Sequence, residues 1–378
     1  MMYRKFRSEV ARHYRNILGW RTNRKIIVFE SDDWGSIRMP SKEVYQACLK
    51  AGYPVDRNVY EKLDTLESNQ DLELLFELLT GYRDGAGNHP LITANCLVAN
   101  PDFDAIAASG YQEYHYESVK KTFLRYPGCE RGFDLWMEGL SSGVFRMQFH
   151  GREHLNVELF SSALKNNDAD IRFAIQHNMP GIMSKANGDT GNHYVEATNY
   201  RSQTGKMEVG RIIDEGLRSF AALTGYASES IIPTNYIWSP DFNETVFKHG
   251  VRYFQGYRKL SEPGLNGNPK VVHTHFLGKK NKLGQLFLVR NGNFEPALLR
   301  GNSAVEGCLR DIAASFRMMK PAIISTHRIN FVGGLEISNR DHTLRQLKRL
   351  LDTIVTLWPE VEFMSSDGLG NVIAKDKS

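Results

Sequence analysis

Hydrophobic positions along the chain fall into short apolar runs that alternate with longer stretches of helical period. KIIVFE, starting at Lys25, reads as a strand: it is short, rich in branched residues and closed by polar ones. It leads into SKEVYQACLKAG, where Ser41 is placed to cap a helix and Gly52 lies just past its end. LESNQDLELLFELLTGY is helical in period, and the turn-forming DGAGNHP separates it from the strand-like LITANCLVA. Next come the helix-like YHYESVKKTFLRY, the stretch GFDLWMEGL and the strand-like VFRMQFH, with a helix expected around Leu155 to Asn166. A Gly/Asn-rich passage, GIMSKANGDTGNHYVEATNYRSQTG, precedes the helix VGRIIDEGLRSFAALTGY, which runs into SIIPTNYIWSP. Near the end PAIISTH, the helix DHTLRQLKRLLDTIVTLW and VEFMSSDGLGNVI repeat the alternation. Strands separated by helices pair in parallel through right-handed crossovers. The sequence carries no internal repeat and no low-complexity tract.

With 378 residues the chain is long enough for two domains, yet α/β barrels of this size form single units. The 47 Lys and Arg against 43 Asp and Glu leave only a mildly basic balance, which gives no ground for a nucleic-acid partner. Cys48, Cys96, Cys129 and Cys308 are widely spaced, without a CxxC pair, as suits a reducing compartment. No run approaches the 18 apolar residues of a membrane span, so a cytoplasmic location is expected. The basic start, MMYRKFRSEVARHYRNILGW, reads as a capping helix in preference to an amphipathic helix in peripheral contact with a membrane.

Chemistry concentrates where apolar runs end. FESDD, ITANC, QFHGREH, YIWSPDFN and ISTH each place polar or ionisable side chains directly after such a run, which is where a parallel barrel builds its active site. Asp32 and Asp33 are adjacent, so both can serve one site only if the strand is ending there. In FHGREH, His150 and His154 would share one face of a helical turn and could grip one metal ion. Two His and a carboxylate leave a position for water, as a hydrolytic zinc site requires. HGREH also fits His-x-x-Glu-His, the inverted zinc-peptidase pattern, but that motif needs a helix and Gly151 is a poor helix residue. Glu153 reads more simply as a first-turn carboxylate.

Together these residues resemble the polysaccharide deacetylase superfamily (NodB homology, carbohydrate esterase family 4), from about Ile26 to Ile373. The resemblance implies an irregular (β/α)7 TIM-like barrel of the glycoside hydrolase/deacetylase type. It implies Asp32 as catalytic base, with Asp33, His150 and His154 as ligands of one divalent metal ion, expected to be Zn2+. The third motif of the family resembles WSPDF, where Pro240 and Phe242 fit and Trp238 stands in the place of Arg. His327 in PAIISTHR matches the family's late His, the acid that protonates the leaving amine. A fourth motif, Asp with a later Trp, is not evident; QGYRK lies near its place. The implied reaction removes an N-acetyl or O-acetyl group from a carbohydrate or sugar-containing precursor, with a backbone N–H such as that of Phe242 at the oxyanion. A glycoside hydrolase on a related barrel and an inactive carbohydrate-binding relative are the alternatives.

The expected organisation is an N-terminal basic helical segment, 1–25, and one barrel domain, 26–375, with insertions near 181–206 and 256–300. The first insertion could be a lid. Trp238, Pro240 and Phe242 are expected at the substrate; Asn95 binds a substrate hydroxyl or closes a turn. His273 and His275 share one face of a strand and read as a solvated face in preference to a second metal pair or sugar contacts, and the basic turn GKKNKLG reads as a solvated loop, though it would suit a pyrophosphate-linked sugar.

Overall fold

The apolar runs become strands because each is buried along nearly its whole length, as parallel strands covered on both faces must be. A computed structural model describes residues 12–184, 192–268, 270–299 and 301–376. Its main sheet uses β1 (Lys25–Trp34), β2 (Ile92–Leu97), β3 (Phe145–Gly151), β4 (Ser230–Ile231), β5 (Tyr253–Gly256), β6 (Leu286–Val289), β7 (Gly292–Asn293), β8 (Ala322–His327) and β9 (Val361–Phe363). The order is β6-β5-β4-β3-β2-β1-β8-β7, all parallel, with β9 added to the start of β1.

The two ends of that order are one strand in two halves. Arg290 N–H donates to Gly256 O on the β5 side, and Asn291 N–H donates to Ile323 O on the β8 side. The strand therefore changes neighbour between these residues and closes the ring, which leaves seven strand positions around it. Asn291 heals the break: its Oδ1 accepts from Ile323 N at 2.8 Å, and its Nδ2 donates to Pro321 O and to Asn16 Oδ1.

Helices fill most crossovers. Ser41 caps Lys42–Lys50 by accepting from Val44 N, and Gly52 follows at φ 85°, both as the sequence implies. Gln203–Thr224 ends at Gly225 in the left-handed region. Two stretches depart from expectation. YHYES is not helical: Tyr116–Ser118 is a strand paired with Ala99–Pro101, and the helix begins only at Val119, capped by Ser118. SIIPTNYIWSP is a strand only to Ile231, because Pro233 follows at once and Asn235 and Tyr236 take positive φ. Between β5 and β6 the described residues form no α-helix; an antiparallel ribbon, Lys259–Glu262 with Val271–Thr274, takes its place.

The expected basic helix lies partly outside the described residues. From Arg12 onward the segment is tied to the barrel by an Arg12–Asp311 ion pair at 2.7 Å and by Lys320 Nζ, which donates to the carbonyls of Leu18, Gly19 and Trp20. No described helix is long and apolar enough to cross a membrane.

Candidate active site

The end of β1 is bent so that both acids face one cleft. The β1–β2 register shifts between Ser31 and Trp34, and Asp33 sits at φ 77°. Gly35 follows at φ 81°, where a Cβ would meet Val119 Cγ2 at 2.8 Å and Trp136 at 2.9 Å. Its N–H is held by the buried Glu67 carboxylate, and Glu67 with Asp64 pairs Arg328. Since Arg328 follows His327 directly, that ion cluster fixes the ends of β1 and β8 together.

Asp32, Asp33, His150, His154 and His327 line one cleft of about 330 Å³, joined by Arg38, Tyr60 and Tyr236. Residues 192, 193, 195 and 196 from the Gly/Asn-rich passage form part of its wall, while 185–191 lie outside the described residues. Asn95, Trp238, Pro240 and Phe242 are not among its lining.

Asp33 Oδ1 faces His150 Nε2 and His154 Nε2, each at 3.4 Å. These three are the one group of metal-ligating geometry among the described residues. The His150 Nδ1 donates to the Ile232 carbonyl at 2.9 Å, which orients the ring so that Nε2 faces Asp33. Burial, with His150 and Arg38 close by, pushes His154 down to about 3 against the pull of Asp33, and keeps that ring neutral. Burial alone would raise Asp33, but the His150 contact, His154 and Arg38 hold its carboxyl well below the usual range. Two imidazole nitrogens and a carboxylate oxygen gathered within reach of one point are a donor set that fits a divalent cation of borderline softness. The group could hold a metal ion.

The two histidines do not share a helical turn. His150 and Gly151 end β3, a bend follows, and the helix starts at Val157 with Asn156 as its cap. Glu153 is therefore not a first-turn carboxylate; both its oxygens are spent on Arg152 at 2.6 Å, and it is buried. The peptidase reading loses both its helix and its base.

Asp32 looks the other way. Arg290 grips it through two N–H groups, Nη2 to Oδ1 at 2.7 Å and Nη1 to Oδ2 at 2.8 Å, while Arg290 Nε donates to Glu30 at 2.6 Å. Asn95 Nδ2 donates to Asp32 Oδ1 at 2.8 Å and to Gln255 Oε1. Burial would raise the Asp32 carboxyl, but Arg290 outweighs it and the group is held low and ionised. Opposite, His327 Nε2 lies 3.7 Å from Asp32 Oδ2, and its Nδ1 meets Glu295 Oε1 at 2.6 Å. Burial would lower His327, but the Glu295 contact and the two aspartates raise it to about 9, so it carries its proton at neutral pH.

Arg290 and Glu295 were not singled out from the sequence. The run LFLVRNGNFE ends in a charged side chain like the five strand ends that were, and that feature would have found Arg290. Asn95 touches neither substrate space nor a turn; it is buried and holds Asp32. Trp238 and Phe242 pack on each other and Trp238 on Phe254, and the Phe242 N–H donates to Ser239 O, so it is not presented to the cleft. Gln255 is likewise buried, bonded to Asn95 and Ser230.

No protein-family model matches the sequence, and no curated protein does. Solved structures similar in shape include 4-alpha-glucanotransferase from Thermococcus litoralis, at 9% identity and TM-score 0.42, covering 94% of this chain; the chain spans only 41% of that protein's length. Puue Allantoinase has 10% identity and TM-score 0.48, with 93% of this chain and 91% of that one covered. A probable polysaccharide deacetylase from Pseudomonas aeruginosa PAO1 has 9% identity and TM-score 0.48, with 94% and 93% covered. Likeness at this level carries neither fold nor activity; both rest on the strand order and side-chain geometry above.

Proposed function

We propose that the protein is a metal-dependent hydrolase that removes an acetyl group, N-linked in the first instance, from a carbohydrate or sugar-containing precursor. The observation that carries this reading is the division of labour between adjacent carboxylates: Asp33 faces two imidazoles, whereas Asp32 is clamped by Arg290 opposite a protonated His327. A divalent ion, expected to be Zn2+, held by Asp33, His150 and His154 would supply Lewis acidity toward a water and the acetyl carbonyl.

Asp32 is ionised and buried, with Oδ2 turned toward His327, so it is the group to accept the proton of the attacking water. Its low basicity is offset by fixed orientation, since Arg290 and Asn95 leave it one arrangement. His327 stands across the cleft with its proton held by Glu295 on the far nitrogen, which leaves Nε2–H free to be given to the departing amine. With Asp33 neutralised by a bound cation, the pull that raises His327 to about 9 would weaken and the ring would be a better acid at neutral pH.

Incubation with a panel of N-acetylated sugar nucleotides and oligosaccharides, assayed for free acetate, tests the reaction. Acetate release without cleavage of the sugar chain is expected, together with about one divalent ion per chain by elemental analysis. Chain cleavage without acetate would place the protein with the glycoside hydrolases, and a metal-free active enzyme would remove the mechanism. His327→Ala should lower turnover by roughly a hundredfold with metal content kept, the usual scale for a positioned acid. Unchanged turnover would return His327 to a structural role.

A further inference from the structure

The missing crossover helix leaves a second cleft. Between β5 and β6 the outer face is covered only by the ribbon and by the turn GKKNKLG, and a cavity of about 760 Å³ opens there. Its lining brings together features the reaction does not use. Trp238, Leu260 and Phe287 form an apolar floor, and His273, His275, Lys279, Lys280 and Lys282 stand around it.

The charge on this cleft is not balanced. Asp241 is taken by Lys206, Glu244 by Lys248, and Glu262 by Ser239 and His273. Lys280 and Lys282 have no acidic partner among the described residues, and Lys279 donates to the Thr274 carbonyl and lies over the Phe276 ring. The turn that carries them is fixed in place: Asn281 accepts from the N–H groups of Leu283 and Gln285, and its amide donates to Gln285 Oε1. The backbone that carries the cations is therefore fixed.

His275 adds an independent observation. It is only 8% exposed and stacked on Phe287 with ring centroids 3.7 Å apart, and its Nδ1 is buried without a hydrogen-bond partner among the described residues. Burial, with Lys279 and His273 near, pushes it down to about 4, so the ring is neutral and keeps one N–H donor. The ring lines the cleft, and there its one N–H, beside the ammonium groups, would suit an anionic oxygen as acceptor. His273 and His275 belong to no group of three metal-ligating side chains among the described residues.

We propose that this cleft binds a phosphate or pyrophosphate ester, the anionic oxygens on Lys280, Lys282 and His275 and the organic part on the floor of Trp238, Leu260 and Phe287. This site is separate from the barrel mouth and does not depend on the reaction there. Calorimetric titration of the full chain with uridine diphosphate and with inorganic pyrophosphate tests it. Both should bind saturably, one per chain, and weaken with salt. Lys280→Gln with Lys282→Gln should weaken both by roughly tenfold or more, the scale of a lost charge-assisted contact. His275→Phe, which keeps the stack and removes the N–H, should do the same. Tighter binding of uridine diphosphate assigns the floor to the organic part; equal binding assigns recognition to the phosphates. Affinity unchanged in the lysine variants, whose side chains are exposed and whose folding is checked by circular dichroism, would mean the anion sits elsewhere and overturn the proposal. So would the absence of saturation into the millimolar range.

Discussion

Asp32→Asn should keep a bound divalent ion and lose nearly all turnover, whereas Asp33→Ala should lose the ion itself. The difference follows from what each carboxylate touches. Asp33 Oδ1 lies 3.4 Å from both imidazole nitrogens, so its removal leaves two of three donors. Asp32 has no contact with those donors as short; it is fixed by Arg290 and Asn95. An Asn there keeps the shape but cannot take a proton, and turnover should fall by roughly a thousandfold, within the range for a positioned base. The Asn amide also turns N–H toward the Arg290 donors, which costs about 1 to 3 kcal/mol, so folding is checked by circular dichroism alongside. Metal stoichiometry beside turnover for both variants decides the matter. Equal ion loss in the two would make both acids ligands, and full activity in Asp32→Asn would move the base elsewhere. Glu153 is no candidate for that role, since Arg152 holds both its oxygens.

Strand ends were legible because a short apolar run that stops at a polar residue needs only local pattern, and Asp32, Asp33, His150 and His327 all lie at such stops. The bend that lets neighbouring acids share a cleft was not legible. It depends on a register shift against β2 and on a left-handed Asp33, and both are set by packing around Gly35. The same limit applies to the turn at His150, where a spacing of four suggested a helix but a strand end and a bend deliver both rings. The clearest gap is Arg290. It stands 258 residues from Asp32 along the chain, and only ring closure brings them together. Trp238, by contrast, makes no contact with Asp32, which Arg290 holds from another strand. Pro233 ends β4 early, left-handed Asn235 and Tyr236 redirect the chain, and Trp238 is turned onto Phe254. Residues chosen as substrate contacts thus face the second cleft instead: Trp238 and Pro240 line it.

Arg290→Met should destabilise the fold by about 3 to 5 kcal/mol, more than any single change at the cleft surface. Arg290 is fully buried and serves two carboxylates at once, Glu30 through Nε and Asp32 through the terminal fork, and it sits where the closing strand changes neighbour. Methionine fills much of the volume but leaves both acids without their cation. Burial already raises Glu30 above the usual carboxylate range despite Arg290, and without the guanidinium Asp32 rises as well. A group whose folded pKa lies above its unfolded value is most stable below the unfolded value and loses stability as pH rises through the folded one. The deficit of the variant should therefore widen from acid toward neutral pH. Arg290→Met with Glu30→Gln removes one of the stranded charges and should recover part of the loss. Arg290→Lys restores a charge without the fork, so stability should return further than turnover does. Urea unfolding midpoints for the three variants, with the slopes compared, read these differences directly. A loss below about 1 kcal/mol in Arg290→Met, the scale of an exposed ion pair, would mean that the two carboxylates are neutral in the folded protein and that Asp32 is not the ionised base.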